Sequence, residues 1–132
     1  MKCLSVRQPF ADLLALGQKT IELRNWNEKF RGKFLIHASQ KINSEAYNRL
    51  GIDKKNLIKG KIIETACLYD VKEYENYEEF KKDEQNHFSM NFGKYKYGFL
   101  VKDAKKCKNS FRYSGKVKFF KVDDPKIINC CT

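Results

Sequence analysis

The sequence lacks a long apolar segment. None of its hydrophobic runs reaches the length of about 18 residues that a membrane-spanning helix needs. The N-terminal stretch does not resemble a signal peptide either, because Arg7, Pro9 and Asp12 interrupt its apolar residues. We therefore expect a cytoplasmic protein with no membrane partner.

The cysteines lack a C-x-x-C spacing, and their number is odd. This pattern argues against a secreted disulfide framework and against a zinc site. No cluster of carboxylates with metal-ligand spacing is present, so we expect neither a metal ion nor a cofactor. We also expect the five cysteines to be reduced thiols: Cys3, Cys67, Cys107, Cys130 and Cys131.

Acidic residues are few: 16 Asp and Glu stand against 27 Lys and Arg, which gives a formal net charge of +11. This surplus excludes an acidic solvating protein and favours a polyanionic partner. Residues 64–84 hold eight acidic residues and three lysines, a net charge of −5, which leaves +16 for the rest of the chain. An acidic segment repels phosphates, so we expect it to lie away from any nucleic-acid face.

Proline and glycine are sparse, and repeats are absent, whereas 42% of the residues are hydrophobic. This composition excludes a disordered chain, and 132 residues fit a single domain. Short apolar runs alternate with short helical patterns, which indicates an α+β domain on a small curled sheet or barrel. We expect a peripheral tail from about residue 124, with helices near 10–16, 44–50 and 77–85 and strands near 2–6, 20–24, 33–38, 62–71, 97–102 and 115–122.

A polar cluster follows the first predicted helix. Gly17 ends that helix, and the next strand alternates so that Thr20, Glu22 and Arg24 share one face. Lys19 directly precedes that strand. A lysine, a carboxylate and an arginine in this arrangement can read a base edge or a phosphate. The alternative is a surface strand with an incidental Glu–Arg pair.

Further polar and aromatic residues flank this cluster. Arg7 and Gln8 stand just before the helix and are expected to line the same cleft. Trp26, the only tryptophan, follows the strand and either stacks on a base or anchors the core. His37 lies within an apolar strand and is interpreted as a structural histidine, and Asp123-Asp124 is interpreted as a solvated turn before Pro125.

The ordered motifs resemble the ASCH domain family of the PUA-like superfamily. Its signature, G-x-K-x-x-E-x-R, is matched by Gly17, Lys19, Glu22 and Arg24. The resemblance covers nearly the whole chain in the right order. Its other elements are Gln8-Pro9-Phe10, Arg31-Gly32, His37-Ala38-Ser39, Tyr97-Gly98-Phe99 and Gly115-Lys116.

The resemblance implies a small mixed β-barrel with short helices around it and a cleft lined by the signature residues. It also implies binding of RNA or another single-stranded nucleic acid, and we expect a monomer. The expected contacts are Arg7, Gln8, Lys19, Glu22, Arg24, Trp26 and Ser39. A diffuse positive field is expected from Lys54, Lys55, Lys59, Lys61, Lys116 and Lys118.

One branch of similar proteins is enzymatic and hydrolyses N4-acetylcytidine with a Lys, a Thr nucleophile and a Glu. Aligned through Lys19, the position of that Thr is occupied by Glu22, which argues against threonine catalysis. Hydrolysis by other residues stays open, so the alternative function is a small hydrolase of a modified nucleoside or a ribonuclease. Its candidate catalytic residues are Lys19, Glu22 and Glu64, with Cys67 also able to reach the cleft, and its ligand would be a nucleotide or modified nucleoside.

Overall fold

The computed structural model describes all residues from Met1 to Thr132 and is built on one six-stranded sheet. In chain order the elements are β1 (Lys2–Val6), α1 (Phe10–Ala15), β2 (Ile21–Arg24), β3 (Gly32–Ala38), α2 (Ser44–Leu50), β4 (Lys61–Glu73), α3 (Tyr77–Lys82), α4 (Glu84–His87), β5 (Tyr97–Arg112), β6 (Phe119–Lys121) and α5 (Pro125–Cys131). The predicted α+β class is confirmed. No helix combines the length and the apolar composition needed to cross a membrane.

The sheet is curled into a half-barrel. Its strand order is β2-β5-β4-β3-β1-β6, and β1 and β3 form its one parallel pair. The pairing of β4 with β5 shifts register at three places, and β3 and β4 shift once. Such irregularities bend a strand and increase its twist, which lets the long β4 and β5 wrap around the core.

Three apolar clusters fill the structure. The largest lies between the sheet and α1 and includes Leu14, Phe34 and Phe99. A second cluster places Ile127 of α5 against the opposite side, around Leu35. The third packs Tyr74 and Phe80 against β2 and fixes the acidic segment beside that strand. Other members of the first two clusters include Leu4, Val6, Ile36, Ile62 and Leu68.

The helix predicted over 77–85 is interrupted. Asn76 caps it, its side chain accepting a hydrogen bond from the backbone N–H of Glu79 at 2.9 Å. The helix stops at Asp83, and the short α4 follows and ends at Phe88, which has a φ of +66°. A left-handed residue cannot continue a helix, so the chain turns there towards the loop 89–96.

The last two strands also differ from prediction. β5 continues ten residues beyond the predicted end at residue 102. The strand predicted over 115–122 is reduced to Phe119–Lys121, because Lys118 adopts a φ of +56° and breaks the extended backbone before it. The preceding residues form an exposed loop.

The prediction of five reduced thiols was wrong for two of them. Cys107 on β5 and Cys131 on α5 form a disulfide, whereas Cys3, Cys67 and Cys130 are free. The curl of β5 brings Cys107 beside the C-terminal helix, a proximity that spacing along the chain does not reveal. That helix starts at Pro125 behind the capping side chain of Asp124, and its Cys131 is buried.

Candidate functional site

A cleft of about 880 Å³ opens at the end of β2. Its walls come from the start of α1, the segment after β3, helix α2, the loop 89–96 and the loop before β6. Of the residues predicted to bind nucleic acid, all but one line this cleft: Arg7, Lys19, Glu22, Arg24, Trp26 and Ser39. The fold therefore brings together residues up to 32 positions apart in the chain.

Glu22 forms the floor of the cleft. Its side chain is 9% exposed, and its two oxygens pair with different cations: Oε1 lies 3.3 Å from Nζ of Lys19, and Oε2 lies 2.8 Å from Nη2 of Arg24. Burial raises the pKa of this carboxyl, but the charges of Lys19 and Arg24 outweigh burial and hold it below its ordinary value. Glu22 is therefore a fixed, ionised carboxylate.

Lys19 is almost fully buried, and its ammonium group has three acceptors. Nζ donates to the backbone carbonyls of Ile21 and of His87, the latter at 2.9 Å, and it pairs with Glu22. Burial lowers the pKa of Lys19, while the Glu22 carboxylate opposes that shift. An ammonium group has three N–H donors, so none remains for a ligand. These contacts make Lys19 a residue that holds Glu22 in position.

Arg24 is held from one side only. Its Nε and Nη2 donate to Oε2 of Glu22 at 3.1 and 2.8 Å, and Nη2 also donates to the carbonyl of Ser5 at 2.8 Å. Nη1 makes no hydrogen bond within the protein. Because the guanidinium is planar and rigid, its fixed side orients the free Nη1 group for an incoming acceptor.

The cleft is cationic and partly aromatic. Besides Glu22, the only carboxylate that lines it is Glu45, which is paired with Arg49 at 2.7 Å. Trp26, Phe10 and Tyr95 supply aromatic rings. The cationic side chains are Arg7, Lys19, Arg24, Arg49, Lys94, Lys116 and Lys118.

Sequence reasoning missed Arg49, Lys94 and Tyr95. The spacing of Glu45 and Arg49 predicts a helical ion pair, which the structure contains, but nothing local indicates that it faces a cleft. Arg49 also donates to the carbonyl of Phe88 at 2.6 Å and so fastens α2 to the opposite wall. Residues 49 and 88 meet only because of the tertiary fold.

Gln8 is the predicted site residue that does not line the cleft. Its side chain is completely buried, donating from Nε2 to the carbonyl of Ile58 at 3.1 Å. Its Oε1 accepts from the backbone N–H of Asp12 at 2.9 Å. Gln8 therefore satisfies an otherwise unpaired donor in the first turn of α1 and ties that helix to the loop 52–60.

The remaining hydrolytic candidates lie elsewhere. Glu64 is buried in β4 outside the cleft, and neither of its carboxyl oxygens has a hydrogen-bond partner. Burial, reinforced by the nearby charge of Asp12, raises its pKa to about 9. Cys67 and Thr20 also lie outside the cleft lining. The structure thus separates Glu64 from the pair formed by Lys19 and Glu22.

His37 has the structural role that its apolar strand predicted. It is 1% exposed, with Nδ1 hydrogen-bonded to the hydroxyl of Ser5 at 2.9 Å and Nε2 to the carbonyl of Tyr113 at 2.7 Å. Burial lowers its pKa, although the bond to Tyr113 opposes that shift. His37 thus links β3 to Ser5 on β1 and to Tyr113, the residue that follows β5.

The charged segments are placed only partly as expected. Lys116 and Lys118 line the cleft, but the four other lysines of the predicted positive field do not: Lys54, Lys55, Lys59 and Lys61. No acidic side chain of residues 64–84 reaches the cleft. The acidic segment is nevertheless adjacent to it, because His87 at the end of α4 is part of the lining.

Comparisons with known proteins agree with this architecture. The family model of the ASCH domain matches residues 4–122. A crystal structure of a ZmASCH protein from Zymomonas mobilis carrying a tyrosine-to-phenylalanine mutation is similar, with a TM-score of 0.71 and 12% identity over 99% of this chain and 98% of that one. A serine-to-alanine mutant of ZmASCH gives a TM-score of 0.69 and 13% identity over 97% and 94% of the two chains.

The crystal structure of ASCH from Zymomonas mobilis is also similar, with a TM-score of 0.66 and 11% identity over 97% of this chain and 90% of that one. At such low identity the likeness shows the fold alone. No curated protein matches the chain.

Proposed function

Because the chain belongs to the ASCH domain family, which is PUA-like, we propose that its cleft binds RNA or another single-stranded nucleic acid. One observation carries the proposal: seven cationic side chains and three aromatic rings line a single cleft, whose only two carboxylates are already paired with cations. Cationic walls attract phosphates, and aromatic rings stack on bases. The combination favours a nucleic acid over an acidic protein surface.

The floor of the cleft favours an unpaired base. A ligand that reaches Glu22 must pass the rim and approach a side chain that is 9% exposed. A base inside a duplex is stacked and paired, whereas a base in a single strand can turn into such a recess at little energetic cost. Oε1 of Glu22 can accept from an amino group of that base, and Nη1 of Arg24 can donate to a neighbouring acceptor.

A hydrolase of a modified nucleoside, or a ribonuclease, is the second candidate. The observation that favours it is the buried ion pair of Lys19 and Glu22, because burial lowers the pKa of a lysine towards the range of a general base. Against it, all three acceptors around Nζ stabilise the charged ammonium, and no threonine or unpaired carboxyl lines the cleft. Binding without turnover is therefore the better supported function.

The proposal is tested by binding of fluorescently labelled single-stranded RNA, single-stranded DNA and duplexes, followed by anisotropy. Arg24→Ala removes the cleft guanidinium, and Arg112→Ala, on the exposed far end of β5, removes one that lies outside the cleft. We expect Arg24→Ala to weaken single-strand binding about tenfold or more, as loss of a charge-assisted hydrogen bond does. Arg112→Ala should change it less than twofold.

Equal effects of the two variants, or no binding of any nucleic acid by the wild type, would overturn the proposal. Lys116→Ala provides a second cleft variant on an exposed loop, where a folding defect is not expected. Incubation of the wild type with N4-acetylcytidine tests the second candidate. Release of cytidine that Lys19→Ala abolishes would establish the hydrolase.

A further inference from the structure

Trp26 is held in the cleft by contacts at its edges. Its ring lies edge-on to Phe99, with a centroid distance of 5.5 Å and an interplanar angle of 88°. Its Nε1 donates to Oε1 of Glu28 at 3.3 Å, which fixes the orientation of the indole. The ring is only partly buried and belongs to the cleft lining. Trp26 is thus neither fully a core residue nor a free surface residue.

Two cations lie over this ring, and they differ in how they are held. The guanidinium carbon of Arg24 is 5.4 Å from the ring centroid, and three hydrogen bonds to Glu22 and Ser5 fix that side chain. Nζ of Lys118 is 5.6 Å from the centroid. Lys118 makes no hydrogen bond or ion pair, so its position depends on the contact with the ring alone. A ligand can therefore displace the Lys118 side chain from the ring without breaking a hydrogen bond or ion pair of that lysine.

The backbone conformation at Lys118 and the packing of the next residue hold Lys118 beside the cleft. Lys118 has a φ of +56°, a conformation that ordinary side chains seldom adopt. The next residue, Phe119, is packed against Phe34 and stacked on Phe99, the same ring that Trp26 contacts. The anchor at Phe119 therefore keeps the Lys118 backbone beside Trp26, while the flexible side chain remains free to move.

We propose that Trp26 is the base-stacking subsite of the cleft, and that Lys118 covers it in the free protein. An unpaired base of a single-stranded nucleic acid displaces the ammonium from the ring and stacks on the indole. The displaced ammonium then pairs with the phosphate of the same nucleotide. This inference rests on the proposed function, and it explains how the cleft would select a nucleotide that carries a phosphate and an unstacked base.

The exchange is favourable on chemical grounds. A lysine over an exposed aromatic ring is held weakly, whereas base stacking on an aromatic side chain is stronger, and an ammonium prefers a phosphate oxygen to a ring face. A nucleoside without a phosphate has to displace Lys118 and gives it no new partner. A nucleotide supplies both the base and the phosphate, so it should bind distinctly more tightly.

Trp26 is the only tryptophan in the chain, so its fluorescence reports the subsite directly. Stacking of a base should quench that fluorescence. We propose titrating the wild type with adenosine, with adenosine 5′-monophosphate and with a single-stranded adenosine hexamer, while anisotropy of a labelled hexamer measures binding independently of Trp26. The test variant is Lys118→Ala. Its matched control is Lys116→Ala, which removes a lysine two positions away that lines the same cleft but does not lie over the ring.

Both lysine variants should weaken binding of the monophosphate and the hexamer. Only Lys118→Ala should strengthen binding of adenosine, by about two- to fivefold, because the ring is then uncovered. Hexamer binding without quenching of Trp26 overturns the inference and leaves the proposed function intact. An identical response of adenosine to the two variants also overturns it. Absence of hexamer binding in the anisotropy experiment overturns the inference, and absence of binding by every nucleic acid tested overturns the proposed function as well.

Discussion

Glu22 and Arg24 stand two residues apart on β2, and both hydrogen bonds between them end on the same carboxylate oxygen, Oε2. The other oxygen, Oε1, is left to Lys19. This division means that the carboxylate joins a cation of the buried interior to a cation of the cleft. The signature residues therefore form one connected unit in which Lys19 fixes Glu22, and Glu22 fixes Arg24.

The first prediction concerns the buried ion pair of Lys19 and Glu22 within this unit. Glu22→Gln leaves the buried Lys19 ammonium without its counter-charge and should lower the free energy of unfolding by about 3–5 kcal/mol. Lys19→Met should cost clearly less, because Glu22 keeps its bonds to Arg24. Urea unfolding at neutral pH measures both. A larger loss for Lys19→Met than for Glu22→Gln would contradict this order of dependence.

The second prediction concerns the pH dependence of stability. The pKa of buried Glu64 is raised from 4.5 to about 9, so between these values the folded state holds a proton that the unfolded state has lost. Its contribution is fully present below pH 4.5 and declines as the pH rises towards 9, by about 1.4 kcal/mol per pH unit. Glu64→Gln should remove this decline. Parallel stability curves of wild type and variant between pH 5 and 9 would refute it.

The third prediction concerns salt. Four cations of the cleft make no ion pair with the protein: Arg7, Lys94, Lys116 and Lys118. If each neutralises one phosphate, the slope of log affinity against log salt for a single strand should be near −2.8, about −0.7 for each of four contacts. The double variant of Lys94 and Lys116 to Ala should reduce it to about −1.4.

The matched control for the salt experiment is the double variant of Lys54 and Lys55 to Ala, which removes the same charge outside the cleft. Its slope should equal that of the wild type. If both double variants lower the slope equally, the attraction comes from the net charge of the protein and not from the cleft.

The fourth prediction concerns Gly98 on β5. A Cβ at this position would lie 2.8 Å from Cγ2 of Ile21 and 3.0 Å from the ring of Tyr74. Gly98→Ala should therefore destabilise the protein by about 1–3 kcal/mol through overpacking. In a double-mutant cycle with Ile21→Ala, which removes the obstructing methyl group, the two losses should sum to more than the loss of the double variant. Strict additivity would show that the contact is not the cause.

Local pattern alone predicted the elements whose two faces differ in polarity. The alternation of residues 20–24 placed Glu22 and Arg24 on one side of β2, opposite the apolar Ile21 and Leu23. The second half of β5 was not predicted. Its side chains after Val101 are mostly exposed, so no buried face leaves an alternating pattern.

The contacts at the site that the sequence did not reveal have a different cause. One acceptor for the Lys19 ammonium is the carbonyl of His87, 68 residues away, and backbone carbonyls carry no sequence signal. Gln8 looked like a cleft residue because it precedes a helix beside Arg7. It turns inward because the backbone of Asp12 needs an acceptor. In both cases a buried polar group needs a hydrogen-bond partner, and the tertiary fold decides which group supplies it.

The far half of β5 has one more consequence. β2 pairs only with the first four residues of β5. From Lys102 to Arg112 the outer edge of β5 therefore faces no other strand. Such an edge can recruit a second copy of the same chain and seed aggregation. Here antiparallel self-pairing would set like charges opposite one another. In such a pairing the exposed cations Lys102, Lys105, Lys106, Lys108 and Arg112, which outnumber the single acidic residue Asp103, would repel their own copies.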